Sequence, residues 1–201
     1  ERDEFGMRGD AHVFDAWGHL GTAGDEATLQ SMLEGAARKE GSLFDAEIYR
    51  IVGKYLKEKN AKVRIVLGDP QGSLYAGFGK THEMGQGGPY KVEGIGGDKI
   101  PTTIWYDVID DFRTVSDRDA FAMARRMARE EGILVGGSAG LNVALALEIA
   151  RELDDPNACV VTILCDTGER YLSKLFNDEW MQENQLLDTP RVTVEELLQR
   201  R

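Results

Sequence analysis

Apolar positions recur at helical spacing in four stretches of the chain. From Asp25 to Glu40, residues Leu29, Met32, Leu33, Ala36 and Ala37 share one helical face, and Gly41 ends the stretch. A second helix is predicted from Asp45 to Lys59, with Ile48, Ile51, Val52, Tyr55 and Leu56 inward. It closes on Lys57-Glu58-Lys59-Asn60, cationic near the end where the helix dipole is negative. Ser116 and Asp119 form a capping-box-like start to a third helix through Glu131, facing inward with Ala120, Met123, Ala124, Met127 and Ala128. The fourth runs from Ser138 to Leu153.

Between them lie short apolar runs. Val63 to Leu67 reads as a strand, stopped by Gly68-Asp69-Pro70. Ile133-Leu134-Val135 reads as a short strand leading into Gly136, and Ala158 to Cys165 as a strand covered on both faces, because it does not alternate. Strand, helix and strand in repetition predict an α/β three-layer domain with a largely parallel sheet. The first 24 residues have no clear period, and 71–99 is a glycine-dense long loop. Its end, Tyr90 to Gly96, has the look of an ordered segment rather than a linker.

Composition narrows the class. A hydrophobic share of 42% beside a charged share of 29% matches a folded soluble domain rather than a disordered one. No apolar run is long enough to span a membrane, and the acidic start (Glu1-Arg2-Asp3-Glu4) lacks the pattern of a signal peptide, so a cytoplasmic protein is expected. The chain lacks an initiator Met, consistent with a processed, trimmed or incomplete product. A net charge of −11 argues against nucleic acid as partner. Cys159 and Cys165 read as buried free thiols, and His12, His19 and His82 show no metal-ligand spacing with them, so no metal is expected.

Candidate chemistry concentrates at Val135-Gly136-Gly137-Ser138-Ala139-Gly140, a turn between an apolar strand and an Ala/Leu-rich helix. Free amides and the helix dipole favour polar ligands there, beyond the carboxyl end of a strand. Three further segments stand in order with it: Tyr55 to Asn60 leading to Val63-Arg64-Ile65-Val66 and Asp69-Pro70; Val92-Glu93-Gly94-Ile95-Gly96 with Ile100-Pro101; and Cys165-Asp166-Thr167-Gly168-Glu169-Arg170-Tyr171. Over residues 50–186 their order and spacing resemble the C-terminal half of the cysteine synthase and cystathionine β-synthase family of pyridoxal-phosphate (PLP) enzymes.

The resemblance implies the large domain of fold-type II PLP enzymes, a homodimer, and a small amino-acid substrate. It implies replacement or elimination of the β-substituent of a serine-type amino acid, in sulfur amino-acid metabolism. Ser138 would bond the pyridine nitrogen of PLP, and Gly137 belongs to the same turn. Gly94 and Gly96 belong to the loop near the cofactor ring and the substrate amine, where a side chain would obstruct close backbone approach. Asp166 and Thr167 would stand near the pyridine end, as supports or helix caps. Members of cystathionine β-synthase type often carry Tyr where this chain has Gly97, which leaves the substrate pair open between serine with homocysteine and O-acetylserine with sulfide.

The family's cofactor-bearing lysine and its Ser-Gly-Asn-type carboxylate loop have no counterpart here. Its glycine-rich phosphate turn should fall near Phe44-Asp45-Ala46-Glu47-Ile48, where two carboxylates would repel a phosphate. The lysines before Ser138 (Lys39, Lys54, Lys57, Lys59, Lys62, Lys80, Lys91, Lys99) read as solvated or in loops, and none is nominated as catalytic. The expected organisation is an unassigned, partly helical segment over 1–48, a PLP-enzyme part over 49–186, and a linker helix over 187–201. The isolated chain is expected to be inactive alone. A second reading, of another class, is a non-catalytic α/β domain working through dimer or partner contacts. A nucleotide-binding Rossmann domain fits less well, since the Gly136 turn lacks G-x-G-x-x-G spacing.

Overall fold

A computed structural model describes residues 53–101 and 104–187, with the backbone alone of Ala11–Phe14. The helix predicted over 25–40, most of that over 45–59, the 44–48 segment and the linker helix after 187 lie outside the described residues.

Three parallel strands form the sheet, in the order β1 (Ala11–Phe14), β2 (Arg64–Pro70), β3 (Asp111–Val115). A helical segment over 53–59, α1, precedes β2. Asp110 joins the two: its carboxylate accepts from Lys57 Nζ at 2.7 Å and from the Ile65 amide at 2.7 Å. Lys57 is therefore a structural cation rather than a solvated one. β2 does not stop at Gly68. Gly68, Asp69 and Pro70 pair with Arg113, Thr114 and Val115, and Pro70 can end the strand because the next ladder bond comes from Gln71 N to Val115 O.

Adjacent residues of β2 point into different layers. Val66 joins Val115 with Ala120, Phe121 and Ala124 of α3 (Asp117–Arg126) and Leu141, Leu145 and Ile149 of α4 (Gly137–Leu153). Leu67 and Phe112 meet Ala76 of α2 (Tyr75–Thr81) on the other face. These are the three expected layers. The short α2 interrupts what the sequence reads as loop. Its Gly79 explains how: a Cβ there would lie 2.3 Å from the Phe112 ring, so only glycine lets α2 settle on β3.

Ser116 caps α3, accepting from Asp119 N at 3.1 Å, and a π-helical turn, Met127–Glu131, extends it. Where α3 crosses α4, Gly140 stands against the Ala120 carbonyl. Two expected strands, one before α4 and one after it, are not built among the described residues. Val135 makes one antiparallel bridge, to Thr167, while Ile133 and Leu134 are exposed. The 158–165 run carries a single bridge residue, at 161, with Leu164 and Cys159 exposed and Cys165 half-buried. A strand needs a ladder on at least one side, and among the described residues this run has none. The thiols are thus not the buried pair expected from an apolar run. A short helix, α5 (Asp178–Glu183), is tied to α3 through Arg125, which donates to the Leu175 carbonyl at 2.8 Å and pairs with Asp178. No helix among the described residues is long and apolar enough to cross a membrane.

Candidate functional site

The head of α4 is built from glycine because other groups crowd it. Gly136, in extended backbone, is the N-cap residue, and no side chain caps the helix, so Ser138 is not the cap. Ser138 lies inside the first turn and is 4% exposed. A Cβ at Gly136 would sit 2.0 Å from Asp166 Oδ1 and 2.7 Å from the Tyr171 ring. Gly136 N donates to the Asp166 carbonyl at 3.4 Å and Gly168 N to the Leu134 carbonyl at 3.1 Å, flanking the Val135–Thr167 bridge.

Asp166 therefore holds its carboxylate at the positive end of a 17-residue helix. Oδ2 accepts the Tyr171 hydroxyl at 2.6 Å, while Oδ1 is buried with no hydrogen-bond partner among the described residues. Burial, then the bond to Asp166, then the charges of Asp166 and Glu93 push the Tyr171 hydroxyl far above its ordinary range, so it stays a donor. Thr167 is exposed and gives its hydroxyl to the Glu169 carboxylate. It precedes the 3₁₀ turn Gly168–Tyr171 without capping it through its side chain.

The 91–97 segment docks beside this turn. Asp117, in the first turn of α3, accepts from the amides of Lys91 (2.8 Å) and Val92 (3.0 Å). Val92 and Ile95 enter the core, and Val92 lies 3.6 Å from the Cβ position of Gly137. Gly94 (φ 80°) and Gly96 (φ 77°) adopt the left-handed backbone that favours glycine. Glu93 pairs with Lys174. A small surface pocket results, lined in part by Lys91, Glu93, Gly137, Tyr171, Lys174 and Trp180. Of the sequence-nominated residues only Gly137 lines it. Ser138, Gly94 and Asp166 are neighbours in sequence of residues that do or touch them, while Gly96 abuts Ser73 and Pro70 instead. At Gly97, where the resemblance expects a tyrosine, the space is filled by the phenol of Tyr75.

Sequence reasoning passes over Tyr75, and gives Asp69 and Tyr171, which stand in the matching segments, no role of their own. Asp69, fully buried at the carboxyl end of β2, accepts from Ala76 N at 2.9 Å and leaves Oδ1 without a hydrogen-bond partner among the described residues. Burial raises its pKa against the opposing bonds from Ser73, Ala76 and Tyr75. Tyr106, its hydroxyl also buried and without a hydrogen-bond partner among the described residues, is pushed up to about 12 by burial and the Asp69 charge. The signal available was Asp69-Pro70 itself: an acid at the end of a strand, before a turn. No group of three or more His, Cys, Asp or Glu that could hold a metal occurs among the described residues.

A parallel sheet between helix layers, with a glycine turn opening a long helix beside a small pocket of mixed lining, defines a layered α/β domain. Residues 52–166, more than half of the chain, match the family model "Pyridoxal-phosphate dependent enzyme", and the chain belongs to that family. Residues 1–71 match the model of the "Excinuclease Cho C-terminal domain", overlapping the first match at 52–71. Cystathionine beta-synthase of Oryctolagus cuniculus is 40% identical over 145 residues, covering 71% of this chain and 26% of that protein. The enzyme of the same name from Mus musculus is 42% identical over 130 residues, covering 65% and 23%. The chain thus spans about a quarter of the length of these relatives. Among solved structures, the O-acetylserine-dependent cystathionine beta-synthase from Helicobacter pylori superposes with a TM-score of 0.59 at 29% identity, over 82% of this chain and 42% of that one. The fold is that of a fold-type II PLP enzyme.

Proposed function

We propose that this chain carries the C-terminal part of the catalytic domain of a PLP-dependent enzyme that replaces or eliminates the β-substituent of a serine-type amino acid in sulfur amino-acid metabolism. The relatives' names support that substrate class. The observation that carries the reading is the buried Ser138 at the head of α4, with the 91–97 segment packed against the same turn. These residues fit one edge of a flat polar cofactor: glycine surface beside a pocket, and an unpartnered Asp166 Oδ1 behind it.

PLP, when bound, supplies an electron sink for the substrate's α-carbon. Ser138 would hold the ring nitrogen with a neutral hydroxyl, Gly137 would admit the ring edge, and Gly94 would bring backbone close to ring and substrate, with Gly96 seating the same segment against Ser73 and Pro70. A hydroxyl does not stabilise a protonated ring nitrogen as a carboxylate would. It therefore tempers the sink and favours loss of the β-substituent over transamination. Asp166, fastened by Tyr171, fixes the backbone of Gly136 and so the place of Ser138. Thr167 supports the turn that carries Tyr171.

We further propose that the chain does not complete this reaction alone. Lys57 and Lys174 are engaged with Asp110 and Glu93, and an ion-paired ammonium is not a nucleophile. The family match to PLP enzymes begins at residue 52, and the other family match runs from residue 1 and overlaps it as far as residue 71. Incubation with PLP should give no near-visible absorbance of a lysine adduct, and borohydride no trapped lysine by mass spectrometry. A trapped lysine overturns the proposal and names the residue.

A second reading, a non-catalytic domain working as a homodimer, is favoured by Ile133 (43%), Leu134 (38%), Leu164 (40%) and Leu172 (58%), large apolar side chains exposed on the surface. Sedimentation at several concentrations, with and without PLP, separates the two: this reading requires self-association that PLP leaves unchanged.

A further inference from the structure

We propose that Tyr75 is a positioning residue for the 94–97 segment: its phenol, packed on Gly97, sets where that backbone stands relative to the head of α4. The proposal rests on the reading of this segment as the substrate side of the site. A Cβ at Gly97 would lie 2.3 Å from Tyr75 Oη, 2.9 Å from Cζ and 3.1 Å from Cε1. The outer end of the phenol thus takes the volume a side chain at 97 would need, and each residue dictates the size of the other.

The turn that opens α2 reinforces the contact. Gly97 N donates to Ser73 Oγ at 3.0 Å, Ser73 Oγ donates to the Gly97 carbonyl at 3.3 Å, and Leu74 N donates to the same carbonyl at 3.0 Å. Gly96 lies equally close to that turn, its Cβ position 2.8 Å from Ser73 Cβ and 2.9 Å from Pro70 Cδ. Tyr75 is the first residue of α2, and Asp69 Oδ2 holds the next amide from the buried end of β2. The sheet thereby fixes Asp69, Asp69 fixes the start of α2, and Tyr75 carries that position to Gly97. From there the segment returns through Ile95, buried in the core, to Gly94 and Glu93.

Hydrogen exchange on the whole chain tests this through the amides of Leu74 and Gly97, the donors of the clamp. Tyr75→Ala should lower their protection by about tenfold or more while the amides of α4 keep theirs. Tyr75→Phe, which loses Oη but keeps Cζ and Cε1 within contact, should retain most of it. Gly97→Ala should also lower it, and the double variant Tyr75→Ala with Gly97→Ala should lose less than the two single losses combined, the methyl entering the vacated space. If Tyr75→Ala fails to fold, Tyr75→Leu, which cannot reach Gly97, carries the same expectation. Unchanged protection in the truncated variants, or strictly additive losses, overturns the proposal. Adding PLP and following the Gly94 and Gly96 amide shifts reads the assigned function separately. A shift in the parent that Tyr75→Ala diminishes and Tyr75→Phe restores supports positioning. No shift in the parent counts against the functional reading and leaves the clamp to the exchange data. A shift that Tyr75→Ala leaves unaltered counts against positioning.

Discussion

Gly140→Ala should destabilise the chain although alanine is the better helix former. Gly140 lies in the first turn of α4, where replacing Gly by Ala gains about 1 kcal/mol of helix propensity. Against that, the new Cβ would stand 2.1 Å from the Ala120 carbonyl oxygen and 2.9 Å from Ala124 Cβ and N. Ordinary contact begins near 3.4 Å, so the shortfall exceeds an ångström. A flexible side chain could swing away, but a backbone carbonyl inside α3 cannot. The helices must separate, and Ala124, Leu141 and Phe121 share one core with them. Overpacking of this kind costs roughly 1–3 kcal/mol, at or beyond the top of the range where backbone is the obstacle. The net loss is about 2 kcal/mol, a fall in melting temperature of roughly 4–8 °C for a domain of this size. Gly77→Ala in α2 is the matched control: nothing lies within 4 Å of its Cβ position, so it should be neutral or gain up to about 1 kcal/mol. Urea unfolding of both variants, at unchanged m-value, makes the measurement. Gly140→Ala as stable as the parent would refute the close crossing of α3 and α4.

Ser116→Ala removes the α3 cap and should cost about 1 kcal/mol in the same assay, with Ser116→Thr, which keeps the hydroxyl that also donates to Asp119, restoring most of it. Tyr171→Phe leaves Asp166 with neither oxygen bonded among the described residues and should cost about 1–3 kcal/mol. Asp69→Asn tests the buried acid through pH. With its folded pKa above the ordinary 3.8, Asp69 holds its proton more tightly folded than unfolded. Its contribution is then fullest below about pH 4 and declines as pH rises through the folded pKa. The stability difference, parent minus Asp69→Asn, should therefore fall with rising pH above about 4. A difference that is flat or rises with pH would contradict the burial of Asp69.

What could be read from the residues was what is decided locally. α3 and α4 follow from the Ser116 cap and apolar spacing, and both stand where that pattern puts them. Phe121, buried on α3, was left off its inward face because it lies one position beside the Ala120–Ala124 row. α2 is decided elsewhere: its glycines look like loop until Phe112, 33 positions after Gly79, arrives from β3 to fill the space above it. The 158–165 run shows the converse, apolar enough for a strand but dependent on partners for its backbone groups. The same division runs through the candidate site. The glycine turn before Ser138 is a local pattern and was found. The contacts around it are not: Tyr171 meets Asp166 from five positions on within a named segment, Tyr75 meets Gly97 across 22 positions, and no spacing announces either pairing. A turn motif thus states which backbone can approach a ligand, while groups from other elements decide where that backbone stands. At the head of α4 they do so through glycine itself, because Asp166, Tyr171 and Phe121 fill the space that Cβ atoms at 136 and 137 would take.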